Sequence, residues 1–132
     1  MRRGLTRSEG LSAARRAGPL RVLFVRSRNR RRSPTAEAIF SGRDGLETAS
    51  AGLAPDAEEM VTPETLEWAD VIFVMEKAHR ARLQRRFAAH IRHARIVCLD
   101  IPDRYEFMDE ALVQRLETTV SPLLHLQLRR SA

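Results

Sequence analysis

The sequence has few of the residues that mark extracellular, membrane-spanning or metal-binding proteins. Its 132 residues include one cysteine, Cys98, which excludes an internal disulfide and indicates a reducing cytoplasm. No apolar run approaches the roughly 18 residues that a bilayer-spanning helix requires, so we expect no membrane contact. The four histidines lack the spacing with carboxylates or a second cysteine that is typical of metal sites. We therefore expect no metal and no cofactor.

Acidic residues are almost absent from the first quarter of the chain. Residues 1–32 carry eleven arginines against the single acid Glu9, a net charge of +10, whereas residues 33–132 carry twelve basic and sixteen acidic residues. We expect residues 1–20 to form a disordered basic arm and residues 21–132 to form one domain. Two alternatives stay open for the arm: translation starts further downstream, or the arm contacts an anionic partner.

From residue 21 onward, short β-rich runs alternate with longer helical stretches. Apolar runs predict four strands, at residues 21–25, 47–52, 70–75 and 95–100. Helical patterns occupy residues 33–42, 62–69, 76–91 and 109–128. The first begins Ser33-Pro34 and the second Thr62-Pro63, pairs that suit a helix cap followed by the first helical residue. The alternation predicts an α/β fold, a doubly wound four-stranded parallel sheet with helices on both faces.

The turn between the first strand and the first helix holds five arginines in the seven residues 26–32. In open α/β folds, ligands bind at the carboxyl ends of the strands. The following helix also directs free amide groups, and about half a unit of positive charge, toward that edge. Five adjacent arginines repel one another unless they extend into water or an anion lies among them. The turn therefore predicts an anion site, with phosphate as the natural ligand.

This turn and several later motifs resemble the low-molecular-weight protein tyrosine phosphatases. The loop of that family follows a hydrophobic strand and contains a cysteine, five residues and Arg-Ser-Pro, before a helix that carries Ala-Glu. The matching pieces occur here in the family's order: "LFV", Asn29, "RSPTAEAIF", "SAG" (50–52), "LEWADVIFVM" (66–75), "HRARL" and "DRY" (103–105). The match runs from residue 21 to the last helix. The resemblance implies a phosphatase-like fold.

The resemblance also implies which residues form the site. Arg32 matches the arginine that grips two phosphoryl oxygens, and Ser33 matches the hydroxyl that supports the thiolate. Asn29 matches a residue that shapes the loop, and Asp103 matches the general acid. Asp109 is an alternative acid, although its place before "EALVQRL" suits a helix cap. The implied phosphate-binding residues are Ser27, Arg28, Asn29, Arg30, Arg31, Arg32 and Ser33.

The nucleophile position departs from the family pattern, because Arg26 stands where the family has its cysteine. A guanidinium stays protonated and its electron pair is delocalised, so it cannot attack phosphorus. Cys98 does not replace the missing thiolate, since its apolar strand predicts a small buried hydrophobe. Arg28 and Arg31 also replace residues that are glycine or small in the family. We therefore expect this chain to lack the family's activity, phosphomonoester hydrolysis through a cysteinyl-phosphate, and arsenate reduction as well.

Three interpretations of Arg26 remain. The first is a pseudophosphatase that binds phosphate or a phosphorylated partner, such as phosphotyrosine, without turnover. The second is an altered form of an active tyrosine phosphatase, because Arg32 and Asp103 are both in place. The third is a nucleic-acid-binding module that uses the arginine-rich loop, although the 5% aromatic content offers little base stacking.

The residues near the acid position, and the helical faces, leave two further questions open. Tyr105 and Phe107 are candidates to flank a substrate ring, with core packing as the alternative for Phe107. The helical faces do not predict an oligomeric state.

Overall fold

A computed structural model describes residues 18–26, 32–55, 57, 59–102 and 104–131. In chain order the elements are β1 (Leu20–Arg26), α1 (Arg32–Phe40), β2 (Leu46–Gly52), α2 (Pro63–Trp68), β3 (Val71–Val74), α3 (Lys77–Phe87), a 3-10 turn (Ala88–His90), β4 (Arg95–Cys98) and α4 (Glu110–Ser131). The strands form one parallel sheet in the order β2-β1-β3-β4, which confirms the predicted fold. Residues 1–17 of the predicted arm lie outside the described residues, and the domain boundary stays a prediction.

Strand β1 occupies the interior of the sheet. Leu23 pairs with Ala49 of β2 on one side and with Ile72 of β3 on the other. Residues Val22, Leu23, Phe24 and Val25 are all 0% exposed. Burial on both faces explains why this strand reads as a continuous apolar run rather than an alternating one.

Helices α1 and α4 pack on one face of the sheet, and α2 and α3 pack on the other. The first face carries a core that includes Phe24, Phe40 of α1 and Leu116 of α4. The second carries a core that includes Leu23, Leu66 of α2 and Leu83 of α3. Successive residues of β1 supply the two cores in turn because side chains alternate along a strand. None of the described helices has both the length and the apolar character needed to cross a bilayer.

The helix starts are partly as predicted. The Thr62 hydroxyl accepts a hydrogen bond from the Thr65 amide at 3.1 Å and Pro63 is the first helical residue, so the predicted start of α2 is confirmed. Helix α1 begins at Arg32, two residues before the Pro34 start that a Ser33 cap implied. Ser33 and Pro34 therefore lie within its first turn, where proline is still tolerated because the amides there need no partner within the helix.

Phe24 links the central strand to its neighbours in the first core. Its ring centroid lies 5.9 Å from that of Phe40 and 5.5 Å from that of Phe73, with the rings stacked. We expect Phe24→Ala to lower the free energy of unfolding by about 3–5 kcal/mol, because it removes a fully buried ring and leaves a cavity. Phe107→Ala is the matched control, since Phe107 is 55% exposed and its loss should cost about 0.5 kcal/mol or less. Urea unfolding curves of both variants measure the difference, and equal losses would contradict the packing described.

Candidate functional site

Arg26 is the last residue of β1 and pairs with Gly52, the last residue of β2. Its side chain is 3% exposed, and its Nε and Nη1 atoms are fully buried. Arg26 has the same parity along the strand as Val22 and Phe24, so it lies on the face covered by α1 and α4. The residue takes part in interactions within the folded chain. The guanidinium of Arg26, at the position that the resemblance assigns to the nucleophile, is thus inside the protein rather than extended into water.

The predicted phosphate-binding loop spans the connection between β1 and α1. The strand before it and the helix after it are both in place, and the N-terminus of α1 follows the carboxyl edge of the sheet after five residues, 27–31. Such a helix start favours a bound anion through its free amides and dipole. Ser27, Arg28, Asn29, Arg30 and Arg31 lie outside the described residues, as do the side chains of Arg32 and Ser33. Their phosphate-binding roles stay predictions.

The segment between β4 and α4, which contains Asp103, is anchored on both sides of that residue. Before it, the Ile101 amide donates a hydrogen bond to the Met75 carbonyl at 2.9 Å. After it, the Met108 amide donates to the Thr35 hydroxyl of α1 at 2.9 Å, and Thr35 is fully buried. The segment therefore crosses to the first turns of α1, near the predicted loop. Asp103 lies outside the described residues, so its role as the acid stays a prediction.

Asp109, the alternative acid, caps α4. Its Oδ1 atom accepts a hydrogen bond from the Ala111 amide at 2.8 Å, and its carbonyl accepts from the Val113 amide at 2.9 Å. The cap interpretation is therefore confirmed, because the carboxylate is used to satisfy an amide at the helix start.

The two aromatic residues after Asp103 have opposite environments. Tyr105 is 8% exposed and belongs to the core on the α1 and α4 face, whereas Phe107 is 55% exposed. Core packing, the alternative for Phe107, is therefore wrong and describes Tyr105 instead. No periodic signal in the sequence separates the two aromatics, because both lie in the irregular segment between β4 and α4.

Two arginines that the sequence interpretation left out surround the Tyr105 hydroxyl. Arg104 donates from Nη2 to Tyr105 Oη at 3.4 Å, and its guanidinium lies 5.4 Å from the ring centroid. Arg115 of α4 also donates to the carbonyl of Asp100 at 3.2 Å. Hydrogen bonds from Arg104 and then Arg115 lower the pKa of the Tyr105 phenol below its ordinary value of 10.0, and they outweigh burial, which raises it.

Cys98 and the histidines do not form a second reactive centre in the described part of the chain. Cys98 ends β4 and is partly buried against the core of α2 and α3, as expected for a small apolar residue. The Nδ1 atom of His79 accepts a hydrogen bond from the Glu76 amide at 3.3 Å. Over the described ranges, His, Cys, Asp and Glu nowhere form a group of three or more that could hold a metal ion.

Comparison with solved structures identifies the fold. YwlE arginine phosphatase from Geobacillus stearothermophilus matches with a TM-score of 0.67 and 24% identity, over 85% of this chain and 96% of its own. A low-molecular-weight phosphotyrosine phosphatase from Vibrio cholerae O395 matches with a TM-score of 0.65 and 20% identity, over 86% and 99%. Wzb from Vibrio vulnificus, in complex with benzylphosphonate, matches with a TM-score of 0.64 and 23% identity, over 80% and 97%. No protein-family model and no curated protein matches the sequence. The chain has the low-molecular-weight phosphotyrosine phosphatase fold.

The lowered pKa of Tyr105 can be measured directly, because the chain has one tyrosine. We expect the phenolate ultraviolet absorbance to titrate with a midpoint below 10.0. Arg104→Gln should raise the midpoint more than Arg115→Gln does, and Arg92→Gln, on the opposite face, should leave it unchanged. Because the pKa of Tyr105 is lower in the folded than in the unfolded protein, its ionisation stabilises the folded state. This contribution is fully present above the unfolded pKa and is lost as pH falls through the folded pKa. A midpoint at or above 10.0 would show that burial outweighs the arginines.

Proposed function

We propose that this protein binds a phosphoryl group at the carboxyl edge of β1 and does not hydrolyse it, and so acts as a pseudophosphatase. The observation that carries the proposal is the environment of Arg26. This residue is 3% exposed at the end of β1, where the resemblance places the nucleophilic cysteine, in a chain with the phosphatase fold. A positive charge buried at that point attracts any anion that binds in the adjoining loop.

The chemical step is lost because arginine supplies no nucleophile. A cysteinyl-phosphate forms when a thiolate electron pair attacks phosphorus while the ester oxygen leaves. The guanidinium of Arg26 has no available electron pair and stays protonated at every accessible pH. Neither Asp103, as a proton donor, nor Arg32, as a phosphate ligand, can start the reaction without that attack.

The same substitution reverses the charge next to the ligand. A thiolate places a negative charge against a phosphate dianion, which it repels before the reaction. Arg26 places a positive charge at the same backbone position, beside the positive end of α1. Ground-state affinity for phosphate should therefore rise where catalytic ability is lost. The arginines predicted to line the loop, Arg28, Arg30, Arg31 and Arg32, add to this attraction.

The structurally similar proteins support a phosphorylated side chain as the ligand class. They include an arginine phosphatase, a phosphotyrosine phosphatase and a protein in complex with benzylphosphonate, in which a ring accompanies the phosphoryl-type group. Phe107 is exposed, and its neighbour Met108 is held to α1 by Thr35. Phe107 is thus available to contact an apolar or aromatic group next to the phosphate.

One observation favours the second candidate, an altered form of an active phosphatase. The Ile101–Met75 and Thr35–Met108 hydrogen bonds keep the Asp103 segment attached at the carboxyl edge of the sheet. A protein that only binds phosphate has no evident need for a positioned general acid. The two candidates predict different results when a cysteine replaces Arg26: only the altered enzyme would then hydrolyse a phosphate ester.

Phosphate binding should depend on the Arg26 charge. We expect inorganic phosphate to bind the full-length protein, and Arg26→Met to weaken binding about tenfold, equivalent to about 1.4 kcal/mol, because it removes one buried positive charge. Arg92→Met is the matched control, since Arg92 is exposed beyond the other end of α3. Isothermal titration calorimetry measures both, with circular dichroism to verify folding. The proposal fails if phosphate does not bind, or if the two variants bind it equally well.

Supplying a thiol should not create a phosphatase. We expect Arg26→Cys to hydrolyse an aryl phosphate no faster than the unmodified protein, because Arg28 and Arg31 replace small loop residues. Arg26→Ser is the control for a polar side chain without thiolate chemistry. If Arg26→Cys is active and a further Asp103→Asn change abolishes the activity, the altered-enzyme interpretation replaces the pseudophosphatase.

A further inference from the structure

The face formed by α2 and α3 is divided by charge. Residues 44–76 contain nine acidic residues and no basic ones, and residues 77–95 contain seven basic residues and no acidic ones. The sign changes between Glu76 and Lys77, where α3 begins. Solvated surfaces usually intersperse the two signs, so this separation needs a cause.

The fold brings the two segments side by side. Helices α2 and α3 pack on the same core through Leu66 and Leu83. Nδ1 of His90, in the 3-10 turn after α3, lies 2.5 Å from Oε2 of Glu67 on α2. Nε2 of His93 lies 2.9 Å from the carbonyl oxygen of Ala69, the residue after α2. The acidic and basic segments therefore meet along one surface.

Charged side chains on this surface form two strips. The acidic strip consists of exposed Glu59, Glu64 and Glu67, and the basic strip consists of exposed Lys77, Arg85, Arg86 and Arg92 together with half-buried Arg82. Within the described ranges, no cation of the basic strip forms an ion pair with a carboxylate, and Arg86 instead donates to the Leu53 carbonyl at 3.3 Å. In the acidic strip, Glu67 pairs with His90, while the side chains of Glu59 and Glu64 form no hydrogen bond or ion pair with the described residues. Most of the charge thus faces solvent.

We propose that this face pairs with the same face of a second copy of the chain. A two-fold axis between the strips lays the basic strip of each copy on the acidic strip of the other. In such an isologous contact both copies use the same surface, and each strip faces charges of the opposite sign. Half-buried Trp68 and Phe87, one at the end of each helix, supply apolar contact area.

Other partners match only half of the surface. A nucleic acid would be attracted by the basic strip but repelled by the carboxylates beside it. An anionic membrane would meet the same repulsion, and the exposed large apolar side chains, Met60, Phe107, Met108 and Leu126, do not lie on α3. A second copy presents both signs and therefore fits the whole face.

Exposed ion pairs are individually weak, and the net charge of +6 opposes association. The dimer should therefore form at high protein concentration and low ionic strength. We expect the dissociation constant to rise at least about tenfold between ~0.05 M and ~1 M NaCl, where the screening length falls to about 3 Å. Sedimentation equilibrium of the full-length, nuclease-treated protein measures it.

Two charge-reversed variants locate the interface. Glu59→Lys with Glu64→Lys reverses two of the three charges of the acidic strip, and Arg82→Glu with Arg85→Glu reverses two of the five charges of the basic strip. The four side chains form no hydrogen bond or ion pair with the described residues, and the changes spare the Glu67–His90 and Arg86–Leu53 contacts. We expect each variant alone to be monomeric and their equimolar mixture to form a one-to-one dimer. If either variant fails to fold, the corresponding glutamine pair, which should weaken association without restoring it on mixing, takes its place.

The outcomes separate the alternatives. Dimerisation at low salt, its loss in each variant and its return on mixing support the proposed face. Monomers at every salt concentration, or dimers that persist in both variants, overturn it. Monomers that bind RNA through a surface lost in Arg82→Glu with Arg85→Glu also overturn it, in favour of a nucleic-acid site. Phosphate titrations of the same variants should be unchanged, so this result and that for the Arg26 site can fail independently.

Discussion

The pairing of β1 with strands on both sides sets the geometry of the rest of the molecule. Its residues bond in register to β2 and β3, and its side chains are buried on both faces. Alternate side chains therefore supply two separate cores, and the stacked ring of Phe24 ties the strand to α1 and β3. The last residue of such a strand has little access to solvent. Whatever stands at position 26 is held inside the protein, at the edge where the next helix begins.

An arginine in that position has consequences that a neutral residue would not have. A guanidinium cannot lose its proton to reduce the cost of burial, unlike lysine or histidine. Its charge must therefore be compensated within the folded chain or by a bound anion, and Arg26 does take part in internal interactions. A phosphate that binds in the loop therefore meets a guanidinium that already interacts with other groups of the protein. Affinity then depends on the total charge at the edge.

The fold could be predicted from the sequence, but the environments of the side chains around the site could not. Strands buried on both faces read as apolar runs, and the Thr62-Pro63 pair predicted a helix start that the Thr65 contact confirms. The roles of Tyr105 and Phe107 could not be predicted, because no periodic pattern operates in an irregular segment. Arg104 and Arg115 were missed for a different reason. They converge on Tyr105 only after α4 packs against the sheet.

The inward position of Arg26 follows from strand alternation, because Val22 and Phe24 point to the same face. That face, with α1 and α4, lies opposite the charge-divided face of α2 and α3, and β1 separates the two. Leu23 and Val25 support the second face while Phe24 supports the first, so each face can change without repacking the other. The side chain at position 26 can therefore differ between proteins that share this fold. Under the proposed function, arginine at this position replaces the negative charge that thiolate catalysis needs with a positive charge that attracts phosphate.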